Sequence, residues 1–112
     1  YEPEHIARAE EKLKAAGIEP AIVVDCSHAN SEKKFERQEN VWRSIIAQRQ
    51  AGNTSLIGMM LESNLHEGNQ KLPEKLDAEV KANLKYGVSI TDACVNFATT
   101  ETLLKFAYES LR

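Results

Sequence analysis

The chain has 112 residues, with 42% hydrophobic and 28% charged side chains and a formal net charge of -3. These values suit one small domain of ordinary globular composition. They give no electrostatic ground for a nucleic-acid or acidic-membrane partner, and no apolar run approaches the ~20 residues of a membrane helix. No signal peptide is visible, so a cytoplasmic location is expected. The two cysteines, Cys26 and Cys94, form no metal or redox spacing and are expected as reduced thiols. A start at Tyr1, straight into a helix signal, suggests a piece of a longer chain.

In chain order, Pro3 to Ala16 reads as a helix. Pro3 suits its first position, Ile6, Ala9, Leu13 and Ala16 make a thin apolar stripe, and Gly17 ends it. Ile22 to Asp25 reads as a strand, apolar on both faces, as in a sheet covered on both sides. Asn30 or Ser31 is placed to cap a second helix that runs to Gly52-Asn53 with Phe35, Gln38, Trp42, Ile45, Ile46 and Arg49 at helical spacing. Leu56 to Leu61 is a second strand, in which Gly58 implies a bend or close backbone approach. A long polar stretch follows from Asn64 to Ser89, with a short helix around Leu76, Val80 and Leu84. The last helix is expected to start near Thr100 and to bury Leu103, Leu104, Ala107, Tyr108 and Leu111.

Strand, helix, strand is a βαβ unit, right-handed by rule. Two strands cannot bury both their faces alone, and a closed (β/α)8 barrel needs about 250 residues. The pattern therefore implies that the rest of a barrel lies elsewhere or that other copies supply the missing surfaces. Ile22, Val23, Val24, Leu56, Ile57 and Met60 are expected to be left partly exposed, favouring a homo-oligomer.

Each strand ends in polar, ligand-type side chains. After the first comes Asp25-Cys26-Ser27-His28-Ala29-Asn30, and after the second Glu62-Ser63-Asn64. In α/β enzymes chemistry gathers at the carboxyl ends of parallel strands. His28 can ligate a divalent metal or shuttle a proton, or it can cap the following helix. Glu62 suits a metal or a salt bridge, and Asp92 a metal or a helix cap. Asp25 can orient His28 or bind backbone. Together His28, Glu62 and Asp92 offer one imidazole and two carboxylates, a set suited to Mn2+ or Fe2+ rather than to a closed structural zinc site. His5 and His66 read as solvated surface, Trp42 as packing, the mixed charges from Glu32 to Arg37 as a solvated helix face, and Gly68-Asn69-Gln70 as a turn.

Four blocks stand in order along the chain: Val24-Asp25-Cys26-Ser27-His28-Ala29-Asn30-Ser31, Gly58-Met59-Met60-Leu61-Glu62-Ser63-Asn64-Leu65, Glu67-Gly68-Asn69-Gln70, and Tyr86-Gly87-Val88-Ser89-Ile90-Thr91-Asp92-Ala93-Cys94. In these the sequence resembles the class I 3-deoxy-D-arabino-heptulosonate 7-phosphate (DAHP) synthases. The resemblance covers essentially the whole chain but only the C-terminal third of such an enzyme. It implies an α/β fold, the C-terminal part of a TIM (β/α)8 barrel, with residues 1–112 as one segment of it.

It also implies a parent enzyme that condenses phosphoenolpyruvate with erythrose 4-phosphate, the entry to the shikimate pathway and aromatic amino acids. A divalent metal, Mn2+, Fe2+ or similar, would be held by His28, Glu62 and Asp92 with a cysteine from the family's N-terminal part. Cys26 is not that cysteine. His28 and Asp92 would assist proton transfer. With that cysteine outside this chain, the isolated segment is expected to bind Mn2+ weakly or not at all, and without the family's Lys-Pro-Arg-Thr block it is expected to be inactive. Leu72 to Lys85 departs from the family in being longer and more helical. The competing expectation is a non-catalytic, self-associating α/β module.

Overall fold

A computed structural model describes residues 1–112. In chain order it contains α1 (Pro3–Ala15), β1 (Ile22–Asp25), a 3-10 turn (Phe35–Arg37), α2 (Gln38–Gln50), β2 (Leu56–Met60), α3 (Ala78–Asn83) and α4 (Phe97–Leu111). The architecture is mixed α/β around a two-stranded parallel sheet. Helix α1 starts on Pro3 and stops in a Schellman turn: Gly17 adopts φ +72°, and the Ile18 N–H bonds back to the Leu13 carbonyl. Gly52 ends α2 in the same way, with Asn53 N–H reaching the Gln48 carbonyl.

The strands pair Ile22 with Leu56 and Val23 with Gly58, slipping one residue between them. At Gly58, opposite Val23, an added Cβ would lie 3.3 Å from Val23 Cγ2, so the Val23 side chain occupies the space a larger residue would need. Strand alternation then divides the sheet. Val24 and Leu56 face the helices and are buried, whereas Val23 and Ile57 face outward and are 60% and 64% exposed. The expected partial exposure thus holds at Val23 and Ile57, which are exposed, and at Ile22 and Met60, which are half-buried, but not at Val24 or Leu56, which are packed into the core.

The core lies between that face, α1, α2 and α4. It gathers Ile6, Val24, Cys26, Val41, Trp42, Ile45, Ile46, Leu56 and Leu103. Trp42 is a packing residue, as its helical spacing implies, and its Nε1–H donates to the Leu103 carbonyl at 3.0 Å. The radius of gyration is 17.3 Å, against about 13 Å for a compact domain of this length. The chain is therefore spread out, with one covered sheet face and one open one.

Several expectations need correction. Helix α2 begins at Gln38 and not at Asn30 or Ser31, because His28, Glu32 and Lys33 take left-handed φ of 52°, 53° and 58°, which no α-helix accommodates. Glu32 and Lys33 accordingly lie in a turn, and Lys34 in irregular chain, rather than on a helix face. Helix α4 begins at Phe97, capped by Asn96, whose side chain accepts the Thr99 N–H at 2.9 Å. Of its expected stripe only Leu103 is buried, while Leu104, Tyr108 and Leu111 remain exposed and Ala107 is half-buried. The short expected helix is α3, capped by Asp77. Around it the polar stretch folds back on itself through bridges between Ser63 and Val95, Gly68 and Cys94, and Asn69 and Ser89. Gly68 to Gln70 is thus bridged chain with a left-handed glycine, and the Gln70 amide closes the base of the excursion by bonding the backbone of Lys85 and Val88.

Candidate metal centre

The site is built where both strands end. Asp25, the last residue of β1, accepts the Ser27 N–H on Oδ1 at 2.8 Å, and its carbonyl takes the Asn30 side-chain amide at 2.8 Å. These bonds fold the chain sharply after the strand. The left-handed turn at His28 is held by Lys33 N–H and Ser31 Oγ, both donating to the His28 carbonyl. The imidazole is thereby turned so that Nδ1 lies 2.7 Å from Asp25 Oδ2 and Nε2 lies 3.2 Å from Asp92 Oδ2. Asp25 orients His28, one of the two roles open to it from sequence, while the same carboxylate also binds backbone.

Glu62 lies just beyond β2. Its carbonyl accepts the Val95 N–H at 3.0 Å, which joins it to the segment carrying Asp92. One donor atom each from His28, Glu62 and Asp92 fall within 4.8 Å of one another. The structure therefore brings together three residues widely separated in sequence. Neither Glu62 nor Asp92 is paired with a lysine or arginine, and Asp92 caps no helix.

The donor set fits a divalent cation on a specific ground. Both ring nitrogens of His28 face carboxylate oxygens, and a neutral imidazole has only one N–H to give. With Nδ1–H held by Asp25, the Nε2 contact with Asp92 requires a second positive species, either a proton or a metal ion. The Asp25 hydrogen bond, and after it the Asp92 hydrogen bond, hold the His28 pKa above its ordinary value.

For stability the sign is direct. A histidine with a raised folded pKa favours the fold below its unfolded pKa of about 6.5, and that contribution is lost as pH rises through the higher folded value. In an NMR titration the His28 Cε1–H should therefore titrate above the ordinary value, and Asp25→Asn should lower the midpoint. A midpoint unmoved by that substitution would contradict the arrangement.

The cysteines lie off this set. Cys26 is fully buried, its N–H continues the ladder to the Met60 carbonyl at 2.9 Å, and burial pushes its thiol up to about 12. Cys94 is buried too, its pKa raised chiefly by burial, with Sγ 3.9 Å from a Glu62 carboxylate oxygen. Thiolate is the reactive form, so both thiols should resist dithionitrobenzoate in the folded chain and react promptly in denaturant. Fast reaction of Cys26 under native conditions would contradict its place in the core. His5 pairs with Glu2 at the surface, and His66 is exposed; neither joins the site.

One functional position was not legible as such. Gln38 reads as one more residue on a helical stripe, yet it is fully buried with its amide bonded to the Glu62 backbone. A polar side chain on an otherwise apolar stripe was the available signal.

A parallel α/β unit with an imidazole and two carboxylates at its strand ends has the layout of a metal-dependent α/β enzyme site. The sequence profile of the DAHP synthetase I family matches residues 1–105. The chain belongs to that family. It is 46% identical over 112 residues to the Tyr-sensitive phospho-2-dehydro-3-deoxyheptonate aldolase of Enterobacter agglomerans, covering all of this chain and 50% of that one. To the Tyr-sensitive enzyme of Escherichia coli K12 it is 43% identical over 111 residues, covering 99% of this chain and 30% of that one. Among solved structures, phospho-2-dehydro-3-deoxyheptonate aldolase from Francisella tularensis superposes with a TM-score of 0.86 at 36% identity, over 98% of this chain and 30% of that one. The chain thus spans from 30% to half of the length of these relatives. No helix is long and apolar enough to cross a membrane.

Proposed function

We propose that residues 1–112 are one segment, the C-terminal part of a (β/α)8 barrel, of a DAHP synthase that condenses phosphoenolpyruvate with erythrose 4-phosphate. The observation that carries this reading is the convergence of His28, Glu62 and Asp92 at the ends of two parallel strands, in a chain of this family. His28 Nε2 and one oxygen each of Glu62 and Asp92 would hold the divalent ion, and the family's cysteine would come from the N-terminal portion. When bound, the ion supplies Lewis acidity toward the aldehyde oxygen of the sugar phosphate.

The rest falls to the chain. Asp25 fixes the ring of His28 and its Nδ1 proton, so that Nε2 faces the reacting side. The Nε2–Oδ2 contact between His28 and Asp92 is the place where a proton can be held or passed during the condensation. The site lies open at the surface, His28 and Asp92 both being exposed. The remaining walls, and the basic residues that grip the two phosphates, belong to the N-terminal portion. The isolated chain should therefore show no loss of phosphoenolpyruvate absorbance with erythrose 4-phosphate and Mn2+. The full-length chain should show it, and failure of the full-length chain to turn over would overturn the assignment.

A second reading, a non-catalytic self-associating module, draws on the open sheet face. Val23 and Ile57 are outward and apolar, and both strands have an unpaired edge. Covering such side chains is worth about 1.5–3 kcal/mol each, so the isolated chain should form oligomers whatever the parent does. Light scattering at low micromolar concentration should report more than a monomer; a compact monomer would contradict the expectation.

A further inference from the structure

We propose that Gln38 is a positioning residue for Glu62, an inference that rests on the metal reading given above. The regular ladder between the strands stops early: the last bond from the β1 side is Cys26 N–H to the Met60 carbonyl at 2.9 Å. Beyond it the first strand's chain turns away toward His28, and Glu62 is left without a partner on the β1 side.

Gln38, the first residue of α2, takes that place. Its Nε2 donates to the Glu62 carbonyl at 3.1 Å, and its Oε1 accepts the Glu62 N–H at 2.8 Å. A side-chain amide has the donor and acceptor of a peptide group, so it engages both backbone groups of one residue as a neighbouring strand would. Gln38 has no exposed surface, which excludes water as a competing partner. Its stem is held by the helix that covers the sheet. Because the same Glu62 carbonyl also receives the Val95 N–H, the clamp fixes Glu62 against α2 and against the segment carrying Asp92 at once. The carboxylate is thereby placed beside His28 and Asp92 before any ion arrives. Without the amide, the Glu62 N–H loses its partner and the Glu62 carbonyl keeps only the Val95 N–H, so Glu62 must be ordered when the ion binds.

The test uses the full-length synthase carrying this segment, titrated with Mn2+ alone while the free-ion signal is read by electron paramagnetic resonance. Gln38→Met keeps the length of the side chain and removes both hydrogen bonds. It should weaken Mn2+ binding by about 10–100-fold, the range for groups that orient ligands. Glu62→Gln should weaken it as well, and the double variant Gln38→Met/Glu62→Gln should bind no worse than Glu62→Gln alone, since the amide acts only through that carboxylate. A merely structural glutamine would lower the melting temperature and give losses that add.

If Gln38→Met does not fold, Gln38→Glu, which keeps the acceptor for the Glu62 N–H, serves in both arms, with weaker binding and the same non-additivity expected. Unchanged Mn2+ affinity in the folded Gln38 variant, or additive losses, overturns the role of Gln38 and leaves the metal reading intact. Undiminished affinity in His28→Ala overturns the metal reading, and this inference with it.

Discussion

Trp42→Ala should abolish cooperative folding of the chain. Trp42 is the largest side chain of the core, only 6% exposed, and packs between the covered sheet face and α4. Truncating a buried tryptophan costs about 3–5 kcal/mol through lost transfer energy and the cavity left behind. The Leu103 carbonyl also loses its donor, and an unsatisfied buried acceptor adds about 1–3 kcal/mol. A complete small domain has only about 5–15 kcal/mol to lose, and this chain buries just 15 of 112 residues. Urea denaturation followed by far-ultraviolet circular dichroism should show a normal sigmoid for the parent chain and a sloping, midpoint-free curve for the variant. Trp42→Phe, which keeps most of the ring volume, should retain a transition at lower urea. A Trp42→Ala midpoint equal to that of the parent would mean that the core is not where the structure puts it.

The second large effect concerns turnover. In the full-length enzyme, Glu62→Gln or Asp92→Asn should abolish phosphoenolpyruvate consumption. Each change swaps an anionic donor for a neutral amide, at a site where stabilising charge is worth several kcal/mol. The isolated chain should be equally silent for a different reason. It contains no Lys-Pro-Arg-Thr sequence to hold a substrate phosphate, and holding two reactants in register can account for ~7–11 kcal/mol of a barrier. Near-normal rates in both full-length variants would refute the ligand roles, and turnover by the isolated chain would refute the need for the missing portion.

What could be read from sequence follows from how local each signal is. The strands were legible because Ile22 to Val24 and Leu56 to Met60 are short apolar runs with nothing helical about their length. Helix ends at Gly17 and Gly52 were legible because a left-handed residue at that position is a one-residue decision. The start of α2 was not. Asn30 and Ser31 have capping side chains, but they spend them on the carbonyls of Asp25 and His28, as the turn that aims His28 demands. Thr100 failed as a cap for a similar reason: it sits inside the helix, its hydroxyl donating to the Asn96 carbonyl at 3.0 Å.

The α4 stripe failed on quantity and not on period. The helix carries more apolar residues than this chain has surface to cover, so Leu104, Tyr108 and Leu111 stay outside. At the site, residue types alone marked His28, Glu62 and Asp92 as candidates, and the four sequence blocks supplied the reason to group them. The clamp by Gln38 depends on a contact between a helix start and a strand end, which no local pattern encodes.

On the proposed function, His28, Glu62 and Asp92 hold one divalent ion together. An anomalous difference map, recorded at the manganese edge from crystals of the full-length enzyme grown with Mn2+, tests it most directly. A single strong peak bonded to His28 Nε2 and to one carboxylate oxygen each of Glu62 and Asp92 is expected. A peak elsewhere, or no peak among these three side chains in a fully folded, Mn2+-saturated enzyme, would contradict it.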